Sequence, residues 1–205
     1  MVSLVKKNLK SIAHDVINLE IQALKSLKKS LNKNFEKAVI EIINCKSKII
    51  LCGVGKSGLI ASKIASTMSS VGSPAFSLSA NDCLHGDLGS ISKKDLLILI
   101  SNSGKSQELL PIIKFANRNK IKLIGIVSRK DSSLYRGADI RILLPEVKEA
   151  GLDIVPTSST SVQLAIGDAL AIAALNKKKF SKYNYSKLHP AGEIGKQLKT
   201  VEELM

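Results

Sequence analysis

The residues best suited to chemistry in this chain are a lysine, two glutamates and two histidines, most of them beside glycine-rich or hydroxyl-rich turns. Lys56 lies in Gly53-Val54-Gly55-Lys56-Ser57-Gly58, which follows an apolar run and opens a helical pattern. Backbone N–H groups at such a turn, with a cation among them, suit an anion or a developing oxyanion. Ser101-Asn102-Ser103-Gly104-Lys105-Ser106 follows a second apolar run and leads to Glu108. The hydroxyls of Ser101, Ser103 and Ser106 can bind phosphate without any change of protonation. A third cluster, Pro156-Thr157-Ser158-Ser159-Thr160, comes after Glu149. One such cluster alone would be helix capping. Two hydroxyl-rich helix starts after strands favour phosphate recognition, because open parallel sheets bind ligands at the carboxyl ends of their strands. A glutamate at a helix start also compensates the helix dipole, so Glu108 and Glu149 are acid–base candidates and no more at this point. His85 lies in an irregular polar segment. His189 lies in Leu188-His189-Pro190-Ala191-Gly192, a turn-forming stretch that favours an exposed, working imidazole. His14 sits in an amphipathic helix and reads as surface.

Several chemistries find no support. The first glycine run satisfies the dinucleotide fingerprint on paper, but the tip of the second strand reads Ser79-Ala80-Asn81 without the expected acid. A nucleotide P-loop would need glycine where Ile50 stands. Ser-His-Asp order, a GxSxG elbow and zinc spacing are absent from the sequence. Cys45, Cys52 and Cys83 lack metal-ligand spacing and read as free thiols in a reducing compartment. Neither a metal nor a cofactor is expected.

The elements that must position these residues follow from hydrophobic periodicity. Leu9, Ile12, Val16, Leu19, Ala23 and Leu27 have helical spacing, and Asn32 and Asn34 separate a second helix through Val39 and Ile42. These helices could cover the domain's own sheet or pack on a partner. Strands are predicted at Ile49–Val54, Pro74–Ser79, Leu96–Ile100, Leu123–Ser128 and Ile140–Leu144, with helices at Lys56–Ser70, Gln107–Asn119 and about Ser159–Asn176. Near-uniformly apolar strands alternating with helices specify an α/β fold with a parallel sheet covered on both faces. The 205 residues suit residues 1–46 as N-terminal helices, 47–180 as the core, and 181–205 as a C-terminal loop carrying His189. The net charge of +14 comes from dispersed lysines without interleaved aromatics, so nucleic acid is not an expected partner. No secretory pattern opens the chain. The longest apolar run, Val162 to Leu175, is broken by Gln163 and Asp168, so no membrane span is expected and a cytoplasmic location is.

Taken in order, the glycine run at Gly53–Gly58, His85-Gly86-Asp87-Leu88-Gly89, Ser101-Asn102-Ser103-Gly104, Pro156–Thr160 and His189-Pro190-Ala191-Gly192 resemble the sugar isomerase (SIS) domain family. Within it they resemble the D-arabinose 5-phosphate isomerases, from about residue 35 to the C-terminus. The resemblance implies a three-layer αβα sandwich around a five-stranded parallel sheet, usually tetrameric and without a required cofactor. It implies interconversion of D-ribulose 5-phosphate and D-arabinose 5-phosphate for synthesis of 3-deoxy-D-manno-octulosonate and lipopolysaccharide. Lys56, Glu108, Glu149, His85 and His189 match the family's catalytic set. Glu149 is then the expected proton-transfer base, with Glu108 as the alternative. Gly55, Ser57, Ser101, Asn102, Ser103, Ser106, Ser158, Ser159 and Thr160 would bind the sugar phosphate. The rival readings are a sugar-phosphate sensor and an isomerase for another phosphosugar.

Three departures stand out. Lys105 replaces an acid of the relatives, which is expected to strengthen phosphate attraction. The stretch Gly151–Val155 is one residue short. The CBS domain pair that usually follows in the family is not expected in this sequence, which runs to Met205.

Overall fold

A computed structural model describes residues 8–189. Helices α1 (Leu9–Ser30) and α2 (Lys33–Asn44) precede β1 (Ile49–Gly53) and α3 (Lys56–Ser70). Strand β2 (Ala75–Ser79) leads into the single turn α4 (Ala80–Cys83) and a 3-10 turn at Asp87–Ser90. Then come β3 (Leu96–Ile100), α5 (Leu109–Asn119), β4 (Lys122–Val127), α6 (Ser133–Gly137) and β5 (Ile140–Leu143). A short segment, α7 (Ala150–Ile154), joins β5 to the long α8 (Ser158–Lys177), and α9 (Lys182–Leu188) closes the described chain.

The five strands form one parallel sheet in the order β2-β1-β3-β4-β5. Every residue of β1 and β3 is buried, which is why their sequences are continuous apolar runs rather than alternating ones. Alternate residues feed two separate cores. Leu51, Ile98 and Ile126 face a layer of α1, α2, α3 and α8, whereas Ile50, Leu97 and Leu99 face α4, α5 and α6. The expected three-layer sandwich is present. Helix α2 packs on β5 and α8 through Ala38, Val39 and Ile42, whereas α1 lies on α8 through Ala23 and Leu27 and leaves Leu9, Ile12, Ile17 and Ile21 exposed.

Helix α8 packs against α1, α2 and α3. It is long and apolar enough to cross a membrane by composition, but half of it is buried inside the protein. Its buried apolar residues, Val162, Ile166, Leu170, Ala171 and Ala174, belong to the core.

Boundaries shift by one or two residues, and the short helices α4, α6, α7 and α9 and the 3-10 turn were not expected. The polar segment after β2 contains α4, capped by Ser79 Oγ, which accepts from the Asp82 N–H at 3.3 Å. The tail after Lys179 forms α9, started by a reciprocal capping box between Ser181 and Asn184. Residues 190–205, which include Pro190, Ala191 and Gly192 of the last motif, lie outside the described residues.

Asp95 staples the amino ends of the two central strands. It accepts from Ser47 Oγ at 2.6 Å, the Lys48 N–H at 3.3 Å and the Ser92 N–H at 2.7 Å, and its side chain is 0% exposed beside the Lys48 ammonium. Burial raises its pKa, but the hydrogen bonds from Ser47, Ser92 and Lys48 outweigh this and hold it below 3.8. A lowered folded pKa means the stabilisation is complete above the unfolded value and is lost as pH falls through the folded one. Asp95→Ala should therefore cost about 3 kcal/mol near neutral pH. In chemical denaturation the penalty should shrink once the pH drops below 3.8.

Candidate active site

In the order β2-β1-β3-β4-β5 the winding reverses between β1 and β3, so the turns after these two strands flank one crevice. Gly53 ends β1 opposite Ile100, the last residue of β3, and so the Lys56 turn and the serine turn are neighbours. The first turn is tight. A Cβ on Gly53 would lie 2.7 Å from the Ser57 carbonyl carbon, and one on Gly58 would lie 2.9 Å from the Gly53 oxygen. The glycines that suggested a dinucleotide are thus explained by close packing of strand and helix. Lys56 is the first residue of α3, exposed, with no hydrogen bond or ion pair to any described residue.

The serine turn is built from the inside. Buried Ser101 accepts from the Gly104 N–H at 3.0 Å, and its Oγ lies 3.1 Å from Ser106 Oγ. Asn102 is held from behind, its carbonyl accepting from Ser128 Oγ at 2.6 Å and from the Ser128 N–H. Gly104 has φ +64°, and a Cβ there would strike Ser132 Oγ and Val127. Ser103 is exposed and accepts from the Lys105 N–H at 3.3 Å. Glu108 sits at the N-cap of α5, half-buried and without a capping bond.

The third cluster departs from expectation. Glu149 Oε2 accepts from the Thr157 N–H at 2.9 Å, the Ser159 N–H at 3.2 Å and Thr157 Oγ1 at 3.2 Å. The head of α8, expected to receive phosphate, is occupied by a carboxylate of the same chain. Thr157 is the N-cap residue but makes no capping bond of its own to α8, Ser158 and Ser159 are buried, and Thr160 Oγ1 donates to the Thr157 carbonyl. The physical reason is that orphan amides and a helix dipole accept any anion, and the nearest one is eight residues upstream. Burial pushes the Glu149 pKa up, yet the hydrogen bonds from Ser159 and Thr157 prevail and hold it below 4.5. Glu149 is therefore ionised at neutral pH.

The segment that delivers Glu149 is no regular helix. Gly151, Leu152 and Asp153 all have left-handed φ of 57°, 63° and 61°, and Asp153 Oδ1 accepts from the Glu149 N–H at 2.6 Å. This turn leaves Leu152 92% exposed.

Glu149 and Lys56 sit at the first turns of two helices that are tied to each other. Ser57 Oγ donates to Gln163 Oε1 at 3.0 Å, fixing the first turn of α3 to α8. Gln163 lies four residues, about 6 Å of helix, below Ser159. The histidines are not joined to this group by any described contact. His85 is exposed between α4 and the 3-10 turn. His189 follows α9, beyond the opposite end of α8, where its ring stacks on Tyr185 at 3.9 Å and its Nδ1 lies 2.9 Å from the Tyr185 carbonyl. That bond assigns the Nδ1 proton to the carbonyl and leaves Nε2 open. Lys105 is not free to attract an anion, since its ammonium pairs with Asp131 at 2.6 Å. Among the described residues no cluster of His, Cys, Asp and Glu could hold a metal.

The SIS domain profile matches residues 41–173. The chain belongs to the SIS domain family. The arabinose 5-phosphate isomerase KdsD of Francisella tularensis is 43% identical over 190 residues, covering 91% of this chain and 58% of the relative. KdsD of Escherichia coli K12 is 39% identical, covering 90% and 56%. This SIS domain thus spans a little over half the length of these curated relatives. A solved E. coli CFT073 protein in complex with arabinose 5-phosphate superposes with TM-score 0.81 at 33% identity, covering 90% of this chain and 100% of that one.

Within this SIS domain the turn residues were legible as motifs, whereas their supports Ser128, Asp131, Ser132 and Gln163 were not. Gln163 alone carried a signal, as an amide interrupting an apolar helix. The Glu149 carboxyl should titrate below 4.5 in carbon-detected NMR. Thr157→Val, which removes the Oγ1–H donor, should move that titration upward.

Proposed function

We propose that this SIS domain interconverts D-ribulose 5-phosphate and D-arabinose 5-phosphate through a cis-enediolate. The observation that carries the reading is an ionised carboxylate and a lysine unpaired among the described residues, at the heads of two helices pinned together beside the sheet's switch point. An aldose–ketose exchange moves one proton between C1 and C2, and one carboxylate can remove and return it. From arabinose 5-phosphate, Glu149 takes the C2 proton, the electron pair forms the C1=C2 bond, and negative charge develops on O1. Lys56 stabilises that oxygen. The O1 and O2 protons exchange with help from the open Nε2 of His189, and Glu149 returns its proton to C1. Collapse of the enediolate leaves the C2 carbonyl of ribulose 5-phosphate.

Recognition of the phosphate falls to Gly55 and to the Ser101, Asn102, Ser103 and Ser106 turn, while the Ser57 hydroxyl, expected there too, is taken by Gln163. Ser159 serves the base instead, and Thr160 donates to the Thr157 carbonyl, because their helix end is already charge-compensated. Glu108 and His85 orient sugar hydroxyls. The names of the KdsD relatives and the arabinose 5-phosphate complex of the similar structure support the pentose phosphate as substrate.

A homotetramer fits the exposed apolar residues of α1 and the α7 turn, among them Leu9, Ile17, Leu152 and Ile154. In such an assembly His85 or His189 of one copy would complete the site of a neighbour. We place the reaction in the cytoplasm, feeding synthesis of 3-deoxy-D-manno-octulosonate.

Incubation with ribulose 5-phosphate should yield arabinose 5-phosphate by proton NMR. In deuterium oxide the carbon-bound proton should wash out. Glu149→Gln should abolish both signals, a loss of roughly a thousandfold in kcat, while the phosphosugar still binds in calorimetry. Binding by the unaltered protein without turnover would favour the sensor reading instead.

A further inference from the structure

Gln163 is buried, 1% exposed, on a helix whose neighbouring positions are Val162, Ile166 and Leu170. An apolar residue there would need no hydrogen bonds, whereas the amide leaves its Nε2 buried with no partner among the described residues. Buried polar groups of this kind are costly to stability and are uncommon in native interiors. What the amide does achieve is specific. Its Oε1 accepts from Ser57 Oγ, the residue after Lys56, and so ties the first turn of α3 to α8. The other polar tie between these helices, Lys63 to Asp168 at 2.6 Å, is exposed and lies about two turns of α3 beyond Lys56.

The same face of α8 carries three aligned contacts, one per turn. Ser159 donates its N–H to Glu149, Gln163 accepts from Ser57, and Gly167 admits Ile64 of α3 so closely that a Cβ would collide with it. The Ile64–Gly167 approach fixes the distance between the helices. An apolar contact leaves the helices free to slide and rotate, and the Ser57–Gln163 bond removes that freedom at the end where the reacting groups lie. With Ser57 turned inward to α8, Lys56 is turned about 100° away around the helix and is exposed.

We infer that Gln163 is a positioning residue for Lys56, setting the lysine's helix start in register with the carboxylate held one turn above it. It touches neither substrate nor reacting atoms, since its side-chain nitrogen is out of reach of solvent. The inference rests on the isomerase reading for its kinetic consequence but not for its structural one.

The test compares Gln163→Met, which keeps the volume and removes the acceptor, with Ser57→Ala and the double variant. Gln163→Met should lower kcat about tenfold, leave KM within about twofold and leave Tm unchanged or higher. The double variant should lose no more kcat than the worse single one. Amides of residues 55–59 should exchange about tenfold faster in Gln163→Met, while those of β4 should not change. Unchanged kcat, additive losses, or a fall in Tm that accounts for the activity loss would overturn the assignment. If the unaltered protein turns over no pentose phosphate, the isomerase reading fails. Amide exchange at 55–59 then decides the positioning alone, and equal rates in both proteins would refute it.

Discussion

Burial of β1 and β3 on both faces is the constraint from which the rest of this structure follows. Two adjacent strands with no solvent-facing side need helices on each side, and a parallel pair needs a crossover for every connection. The chain meets both demands by winding outward from this pair in two directions. The reversal sets the carboxyl ends of β1 and β3, and the turns that follow them, side by side. The Lys56 turn and the serine turn are the two loops that this geometry must place there. Their glycines and hydroxyls satisfy the backbone at the mouth of the crevice while leaving donors facing outward.

The head of α8 gives the second organising interaction, and it changes what the third hydroxyl cluster is for. A helix end with orphan amides holds one anion well. Here that anion is Glu149, drawn in by a turn of three left-handed residues and fastened by Thr157 and Ser159. The hydrogen bonds overcome the burial and keep the carboxylate charged, so the proposed base is ready at neutral pH without needing a neighbouring cation. The cost is lower intrinsic basicity, which places more of the burden on stabilising the enediolate. In the proposed mechanism that role falls to Lys56, which has no competing partner among the described residues.

Lys105 shows how a local partner can neutralise an apparent departure. A lysine in place of an acid would alter the field at a phosphate turn, but Asp131 sits 2.6 Å from its ammonium. The charge of the turn is therefore close to balanced, and the exposed pair adds little to stability. The net charge of +14 likewise reflects solvated lysines spread over the surface rather than one concentrated at the site.

The amino-acid sequence alone determined the sheet, its parallel sense and the positions of the two glycine- and serine-rich turns that follow β1 and β3. Those depend on apolar runs, period and glycine placement, all local in the chain. It also singled out Lys56, Glu108 and Glu149, because charged residues beside strand-ending turns are few. Only the tertiary structure decided that Glu149 and the Thr157–Ser159 turn occupy each other. That pairing depends on a left-handed reversal that Leu152 and Asp153 do not announce. Only the tertiary structure revealed Gln163, Ser128 and Asp131 as supports, since their partners lie 106, 26 and 26 residues away. The serine turn was legible as a motif, but what holds it in shape is long-range packing, and sequence separation hides such contacts.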